Sequence, residues 1–366
     1  MTADNLPPID EAPAAHLEGR ALDNGWTVGA RITRDPSATG GCFSIAYNAL
    51  NEDGRVAFMK ALNFHAAAAG PGPLVDRLNF FTSAYIFERD LLADCCDRKM
   101  SRIIRLIDHG QVSVPEAGAI LSEVPYLIFE LAEGDIRAFQ ARSTDFDCAW
   151  VFRVIQHALL GIGQLHSAQA AHQDLKPSNV LTQDRGMEMK LGDLGRADRR
   201  GVDGPWSRTF PPGAVAYAPP EQQYGAFTGS WEERKATDLY LAGSLGIQLF
   251  LGHCMSALLQ DNLLAECTPR YWSGSFQDVL PYLRTAHCDV VLALEENVAA
   301  RTGDENSAQR YAAAVAQMTD PNPRERGHPK DRAARTSSYA VHRYVSLMDL
   351  LSARARYRML GEHSHG

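Results

Sequence analysis

The sequence predicts an α+β fold in two parts, a small antiparallel sheet with one helix followed by a larger, mainly helical part. Three observations predict it. Alternating apolar segments cluster between residues 26 and 62 with short Gly-bearing turns between them. One helical pattern follows at 80–96, and from residue 150 onward apolar spacing is helical nearly throughout. A chain of 366 residues with 45% apolar side chains can bury at least one large core, and its length suits two lobes.

Residues 1–24 mix Pro, Asp, Glu and Ala without periodicity and read as a flexible leader. Residues 26–32, 43–50 and 55–62 alternate as strands, and the Ala/Gly/Pro run at 66–73 is a loop signal. In 80–96, Phe81, Ala84, Tyr85, Phe87, Leu91 and Leu92 carry helical spacing. Residues 103–107 and 125–131 are further strand candidates, and 150–166 has the length and stripe of a buried helix. Later helices are expected at 235–251, 276–285, 289–301 and 307–318, with Pro321, Pro323 and Pro329 breaking the pattern. Beyond them residues 330–366 are arginine-rich, and Tyr344, Leu347, Met348, Leu350 and Leu351 are spaced for an amphipathic helix. That helix either docks on the large part or offers a basic face to a regulatory partner or a nucleic acid.

The net charge of −8 and pI near 5.8 argue against broad nucleic-acid or anionic-membrane binding, which need a basic face. No window approaches the run of about 18 apolar residues that a spanning helix requires, and the start lacks a secretory pattern. A soluble, cytoplasmic protein is expected. Seven cysteines without paired short spacings, two of them the vicinal Cys95 and Cys96, argue against zinc and fit a reducing compartment.

The chemistry concentrates in His172-Gln173-Asp174-Leu175-Lys176-Pro177-Ser178-Asn179-Val180-Leu181, followed by Gly192-Asp193-Leu194-Gly195. Phosphoryl transfer needs a carboxylate to orient and accept a hydroxyl proton, a cation against the transferring group, and a metal that bridges phosphates. Asp174 is the candidate base, and Lys176 lies near enough to reach the same centre. Asn179 and Asp193 are hard oxygen ligands suited to magnesium. Taken singly, each Asp or Asn is more often a turn or cap residue.

These segments resemble the catalytic loop and metal-binding triplet of eukaryotic-like serine/threonine protein kinases, of the kind found in bacteria. Further matches follow in that family's order. Val56-Ala57-Phe58-Met59-Lys60 resembles the strand whose lysine holds the α- and β-phosphates. Ala218-Pro219-Pro220-Glu221 resembles the end of the activation segment, and Asp238 to Gly243 the helix start whose aspartate braces the catalytic loop. Asn322-Pro323-Arg324-Glu325-Arg326 resembles the late segment whose arginine pairs with that glutamate. Turn chemistry alone gives no reason for these to appear together.

The resemblance implies a bilobal protein-kinase-like fold: leader 1–24, N-lobe 25–131, C-lobe 132–329 and a basic helical extension 330–366. It implies ATP and Mg2+ as cofactors, and Asp174, Lys176 and Lys60 as catalytic residues. Gly40 and Gly41 would lie in a glycine-rich loop, although Thr39 and Ser44 stand where the family has glycine. Glu88 would hold Lys60, with Asp90 the other choice; Phe129 would be gatekeeper, and the backbones of Glu130 and Ala132 would carry adenine. Asp135 would touch ribose or cap a helix.

Three departures bear on activity. Gln173 replaces the arginine that ordinarily neutralises a phosphorylated activation loop, so alanine at Ser207 and Thr209 is expected to leave activity nearly intact. Leu194 replaces an aromatic residue, a mild change. Ala214 replaces the threonine that bridges base and lysine, which predicts slow turnover or unusual selectivity.

The resulting reading is an ATP- and Mg-dependent kinase that phosphorylates Ser or Thr hydroxyls of a protein substrate; a lysine at 176 resembles serine/threonine enzymes, whereas tyrosine kinases place arginine or alanine there. A pseudokinase scaffold would keep the fold without transfer. A small-molecule phosphotransferase of the aminoglycoside or choline type more often carries histidine at the Lys176 position and lacks a segment like 218–221.

Overall fold

The structure of the chain, a computed structural model, describes residues 12–32, 44–64, 72–115, 122–143, 145–334 and 337–363. Gly40 and Gly41 lie outside the described residues. The chain divides into two compact units, one of residues 1–99 and 104–132, the other of residues 100–103 and 133–366.

The first unit holds a five-stranded antiparallel sheet in the order β1-β2-β3-β5-β4. The strands are β1 (Trp26–Arg31), β2 (Ser44–Asn51), β3 (Val56–Leu62), β4 (Leu106–Ser113) and β5 (Glu123–Glu130). Strict alternation puts Ala57, Met59 and Ala61 of β3 in the core and leaves Lys60 half-buried on the other face. Helix α1 (Leu74–Asp97) follows β3 and buries Tyr85, Glu88, Leu91, Leu92 and Cys95 along one stripe.

Two expectations change here. Residues 12–24 are not a flexible leader: Ala12, Ala14, Leu17 and Leu22 are buried, a 3-10 turn forms at Pro13–Ala15, and Tyr47 donates its hydroxyl to the Ala14 carbonyl at 2.7 Å. The segment also covers the open edge of β1, with Gly19 N–H bonded to Val28 O at 2.8 Å and Val28 N–H to Arg20 O at 2.9 Å. An uncovered edge strand leaves backbone groups unpaired, so two isolated leucines suffice to anchor a segment that also satisfies them. The fourth strand begins at Leu106 rather than 103, because Ile103 bridges to Leu191 and belongs to the second unit.

In the second unit β6 (Gly134–Asp135) leads into α2 (Ile136–Arg142) and α3 (Cys148–Ser167). The short strands β7 (Ala170–Ala171), β8 (Val180–Gln183), β9 (Glu188–Leu191) and β10 (Asp198–Arg199) follow α3, pairing as β6-β8-β9 and β10-β7. Helices α4 (Pro220–Gln223), α5 (Trp231–Leu251), α6 (Met255–Asp261), α7 (Phe276–Thr302), α8 (Glu305–Thr319), α9 (Pro329–Ala334) and α10 (His342–His363) complete it. Helix α5 starts at a Ser230–Glu233 capping box and stops at Gly252 with φ 84°. Thirteen residues of α3 and fifteen of α5 are buried, which makes these two helices the core of the unit. No single helix among the described residues is long and apolar enough to cross a membrane.

Residues 276–302 form one helix, not the two expected. The apparent gap at 286–288 holds Ala286 and His287, which point inward; His287 donates Nε2–H to Thr319 Oγ1 at 2.9 Å, so a satisfied histidine interrupts the apolar stripe without breaking the backbone. The expected boundary at 329/330 is also absent. Helix α10 packs along α3 through Tyr344, Met348 and Leu351, and Ser352 donates to the Ala149 carbonyl at 2.8 Å. Arg343 pairs with Asp331 at 3.0 Å and Arg358 with Asp304 at 3.3 Å, so much of the charge read as a basic face is used within the fold.

Candidate active site

In the first unit, the alternation of β3 and one turn of α1 bring Lys60 and Glu88 together. The Lys60 ammonium donates to both carboxylate oxygens of Glu88, at 2.8 and 2.9 Å, with the Glu88 side chain 7% exposed. Asp90 points the other way and binds its neighbour Arg89 at the surface, which decides between the two acids. A buried carboxylate sharing a half-buried ammonium fixes the lysine's reach at low entropic cost. Phe129 is buried and tilts against Phe58 at 6.2 Å. At the end of β5 the Glu130 N–H is already bonded to Arg105 O at 3.0 Å, and Ala132 stands two residues on, at the end of the first unit.

In the second unit the loop 172–179 is organised by one fully buried carboxylate. Asp238 of α5 accepts His172 N–H at 2.9 Å, Gln173 N–H at 2.8 Å, the Gln173 side-chain amide at 2.9 Å and His166 Nε2–H at 2.9 Å. Four donors offset the cost of taking this charge out of water. They also stabilise Gln173 at φ 63°, a left-handed conformation that a side chain adopts only under such constraint. His172 ties the loop to the next motif: its Nε2–H donates to Gly192 O at 3.1 Å and its Nδ1 accepts Asp174 N–H at 3.3 Å.

The Asp174 carboxylate, 5% exposed, is held from both sides. Lys176 Nζ and Asn179 Nδ2 donate to Oδ2 at 2.8 and 3.2 Å, and the backbone N–H of Ala214 donates to Oδ1 at 2.8 Å. With no hydroxyl at position 214, Asp174 is met there by the backbone amide alone, and Lys176 contacts Asp174 directly. This close approach requires glycine at 213, where a Cβ would overlap the Gln173 carbonyl and stand 2.9 Å from Asp174 Oδ1.

Asn179 has its amide nitrogen committed to Asp174, with a further bond of 2.7 Å to the Asp174 carbonyl, and its Oδ1, which accepts the Ser178 hydroxyl at 3.2 Å, keeps a second lone pair for a ligand. Asp193 is exposed in a left-handed turn at φ 55°, just before the 3-10 turn Leu194–Arg196. An amide oxygen and a carboxylate suit magnesium, which takes few protein ligands and keeps phosphate and water oxygens. Among the described residues no group of three or more His, Cys, Asp or Glu could hold a metal ion.

The motif reading missed several residues. Arg196 directly follows Asp-Leu-Gly, lies 3.4 Å over the Trp206 ring, and feels the charges of both Asp174 and Asp193; burial lowers its pKa and the two carboxylates oppose that. Asp198 and Arg234 form a buried ion pair at 3.2 Å. Only the position of Arg196 next to the motif could have signalled it. Asp135 is a helix cap, accepting Arg137 N–H and Ala138 N–H. Glu221 and Arg326, expected as partners, meet in a bidentate pair at 2.6 Å for both contacts, 1% and 0% exposed.

A model of the protein kinase domain matches residues 41–270. The serine/threonine-protein kinase PknL of Mycobacterium tuberculosis (strain CDC 1551 / Oshkosh) is 28% identical over 248 residues, 67% of this chain and 58% of that protein. Mitogen-activated protein kinase kinase 7 of Arabidopsis thaliana is 29% identical over 136 residues, 37% of this chain and 42% of that protein. A probable cyclin-dependent kinase 8 of Dictyostelium discoideum is 34% identical over 134 residues, 34% of each chain. The chain thus spans less than two thirds of the length of each of these relatives.

Proposed function

The chain belongs to the protein kinase family, and from that premise we propose that it transfers the γ-phosphoryl group of ATP to serine or threonine hydroxyls of a protein substrate, with magnesium and without a requirement for a phosphorylated activation segment. The observation that carries this reading is the Asp174 carboxylate, aimed by Lys176, Asn179 and the Ala214 amide. A carboxylate so held is oriented as a base but keeps lone pairs for an acceptor hydroxyl.

Each residue then has a defined task. Lys60, gripped by Glu88, presents its ammonium to the α- and β-phosphates. Asp174 aligns the acceptor oxygen and takes its proton as the oxygen attacks the γ-phosphorus, the bond from that phosphorus to the β,γ-bridging oxygen breaks, and ADP leaves with the electron pair. Lys176, already against Asp174, balances charge on the transferring oxygens. Asn179 Oδ1 and Asp193 would hold magnesium, which supplies neutralisation of the phosphate charge when bound. Glutamine at 173 offers no charge to a phosphorylated segment, which supports the independence from that modification.

Incubating the protein and its Asp174→Ala variant with labelled ATP, with and without magnesium, tests this. Label on protein serine or threonine, lost in the variant and without metal, is the expected result. Label only on sugars or amines, or nucleotide binding with no transfer, overturns it.

A further inference from the structure

The Ala214 N–H that aims Asp174 sits at the far end of the stretch beginning at Asp198, so whatever fixes that stretch also fixes the base. We propose that Arg234 and Asp198 are positioning residues that hold residues 198–214 in register with the catalytic loop without any phosphate, and that negative charge added at Ser207 releases them. The proposal rests on the kinase reading above and assigns its regulation.

The latch is built from one turn of α5. Asp238 holds the catalytic loop, and Arg234, four residues earlier, holds the segment. Arg234 is 3% exposed; its Nε lies 3.2 Å from Asp198 Oδ1 and donates to Gly229 O at 3.2 Å, while Nη2 donates to Ser207 O at 2.7 Å. Phe227 lies beneath it, 5.8 Å from ring centroid to guanidinium. Ser207 completes the unit: its hydroxyl donates to Asp198 Oδ2 at 2.7 Å and accepts Gly204 N–H at 2.9 Å. Asp198 itself pairs with Ala171 in the β10–β7 ladder, immediately before His172. Gln173 joins both halves by donating to Arg234 O at 2.8 Å and to Asp238 Oδ1.

The charges explain the sign. A segment switched on by phosphate needs a cation free to receive it. Here Gln173 is neutral, and Arg234 already faces a carboxylate supplied by the segment itself through Nε, with Nη2 on the Ser207 carbonyl and only the buried Nη1 left without a partner. Burial already makes Asp198 costly to keep ionised, and the Ser207 hydroxyl and Arg234 are what offset it. A phosphate on Ser207 removes the donated proton and brings about −1.5 to −2 charges against that same carboxylate. Repulsion then opens the latch, and the Ala214 amide leaves Asp174.

The test uses the full chain, with peptide phosphorylation, affinity for a non-hydrolysable ATP analogue with magnesium, and hydrogen exchange of residues 198–214. Ser207→Glu and Arg234→Gln are expected to lower kcat more than tenfold with analogue affinity within twofold, and to speed exchange in 198–214. Arg234→Lys recovers part of the loss, Ser207→Ala costs no more than about threefold because only one of several contacts is lost, and Thr209→Glu leaves kcat within twofold. Ser207→Glu with unchanged or higher kcat, or unchanged exchange in both variants, overturns the latch. If the unaltered protein transfers no phosphate, the kinase reading fails on its own, and the exchange measurement still decides the latch.

Discussion

Two carboxylate–cation pairs in the second unit use the same chemistry to opposite ends. Glu221 and Arg326 are sealed from water, with Nη1 on Oε1 and Nη2 on Oε2, Arg326 Nε on the Asp320 carbonyl at 2.7 Å, and the guanidinium 4.8 Å from the Tyr240 ring. Asp174 and Lys176 are nearly as buried but asymmetric: one oxygen takes both side-chain donors, the other takes a single backbone amide, and the lysine side chain remains 10% exposed. A fully matched pair has nothing left to offer a substrate and serves as a brace. A partly matched one keeps lone pairs and protons that a reacting group can use.

The comparison breaks most sharply under substitution. Asp174→Asn should lower kcat by about 10²–10⁴-fold, the usual range for removing a general base, while the melting temperature stays near that of the unaltered protein; a large thermal shift would make Asp174 a brace too. Arg326→Ala should do the reverse, costing about 3–5 kcal/mol because Glu221 is left as an unpaired buried charge. Chemical denaturation measures this, and a loss under 1 kcal/mol would mean water reaches the pair.

Gly213→Ala probes the boundary between the two behaviours. The added methyl pushes the segment off Asp174, so kcat should fall tenfold or more through misplacement by a fraction of an ångström. Folding stability should change far less, and equal loss of both would argue against a positioning role.

A smaller effect comes from pH. Desolvation, with a minor contribution from Arg326, pushes His287 down to about 4, and burial does the same to His157, whose Nδ1 accepts Met189 N–H at 3.2 Å. The unfolded chain therefore binds more protons between pH 4 and 6.5. Stability is complete above pH 6.5 and is lost as pH falls, by about 2 kcal/mol for His287 at pH 5. Burial raises Asp198 and Asp320, so those groups act in the opposite sense on acidification. Melting curves at pH 7.5 and 5 should converge in His287→Gln; an unchanged gap would assign the sensitivity elsewhere. The smallest change is Asp90→Asn, expected within twofold in activity, against about tenfold for Glu88→Gln, since a charge-assisted bond to lysine is lost only in the latter.

Local pattern was enough for much of this molecule. Strands at 26–31, 44–51 and 56–62 fall within about a residue of the alternating segments, because a half-buried sheet writes its period into the chain. The residues around Asp174 were legible because turn and cap chemistry could not account for their joint spacing. Glu88 was legible as the one glutamate on its helix segment, and the geometry selects it over Asp90.

Other features carry no local signal. Residues 12–24 lack periodicity, and their order comes from the sheet edge they cover. Arg234 and Ser207 lie 27 residues apart with nothing in either neighbourhood to pair them. The Ala214 amide is a backbone group that any residue would supply, so its place against Asp174 depends on path rather than identity. The sequence by itself determined which chemical groups are present and the period of each element, since both are properties of a few consecutive residues. Tertiary structure alone decided which of those groups satisfy one another, because burial and pairing depend on chain segments meeting in space.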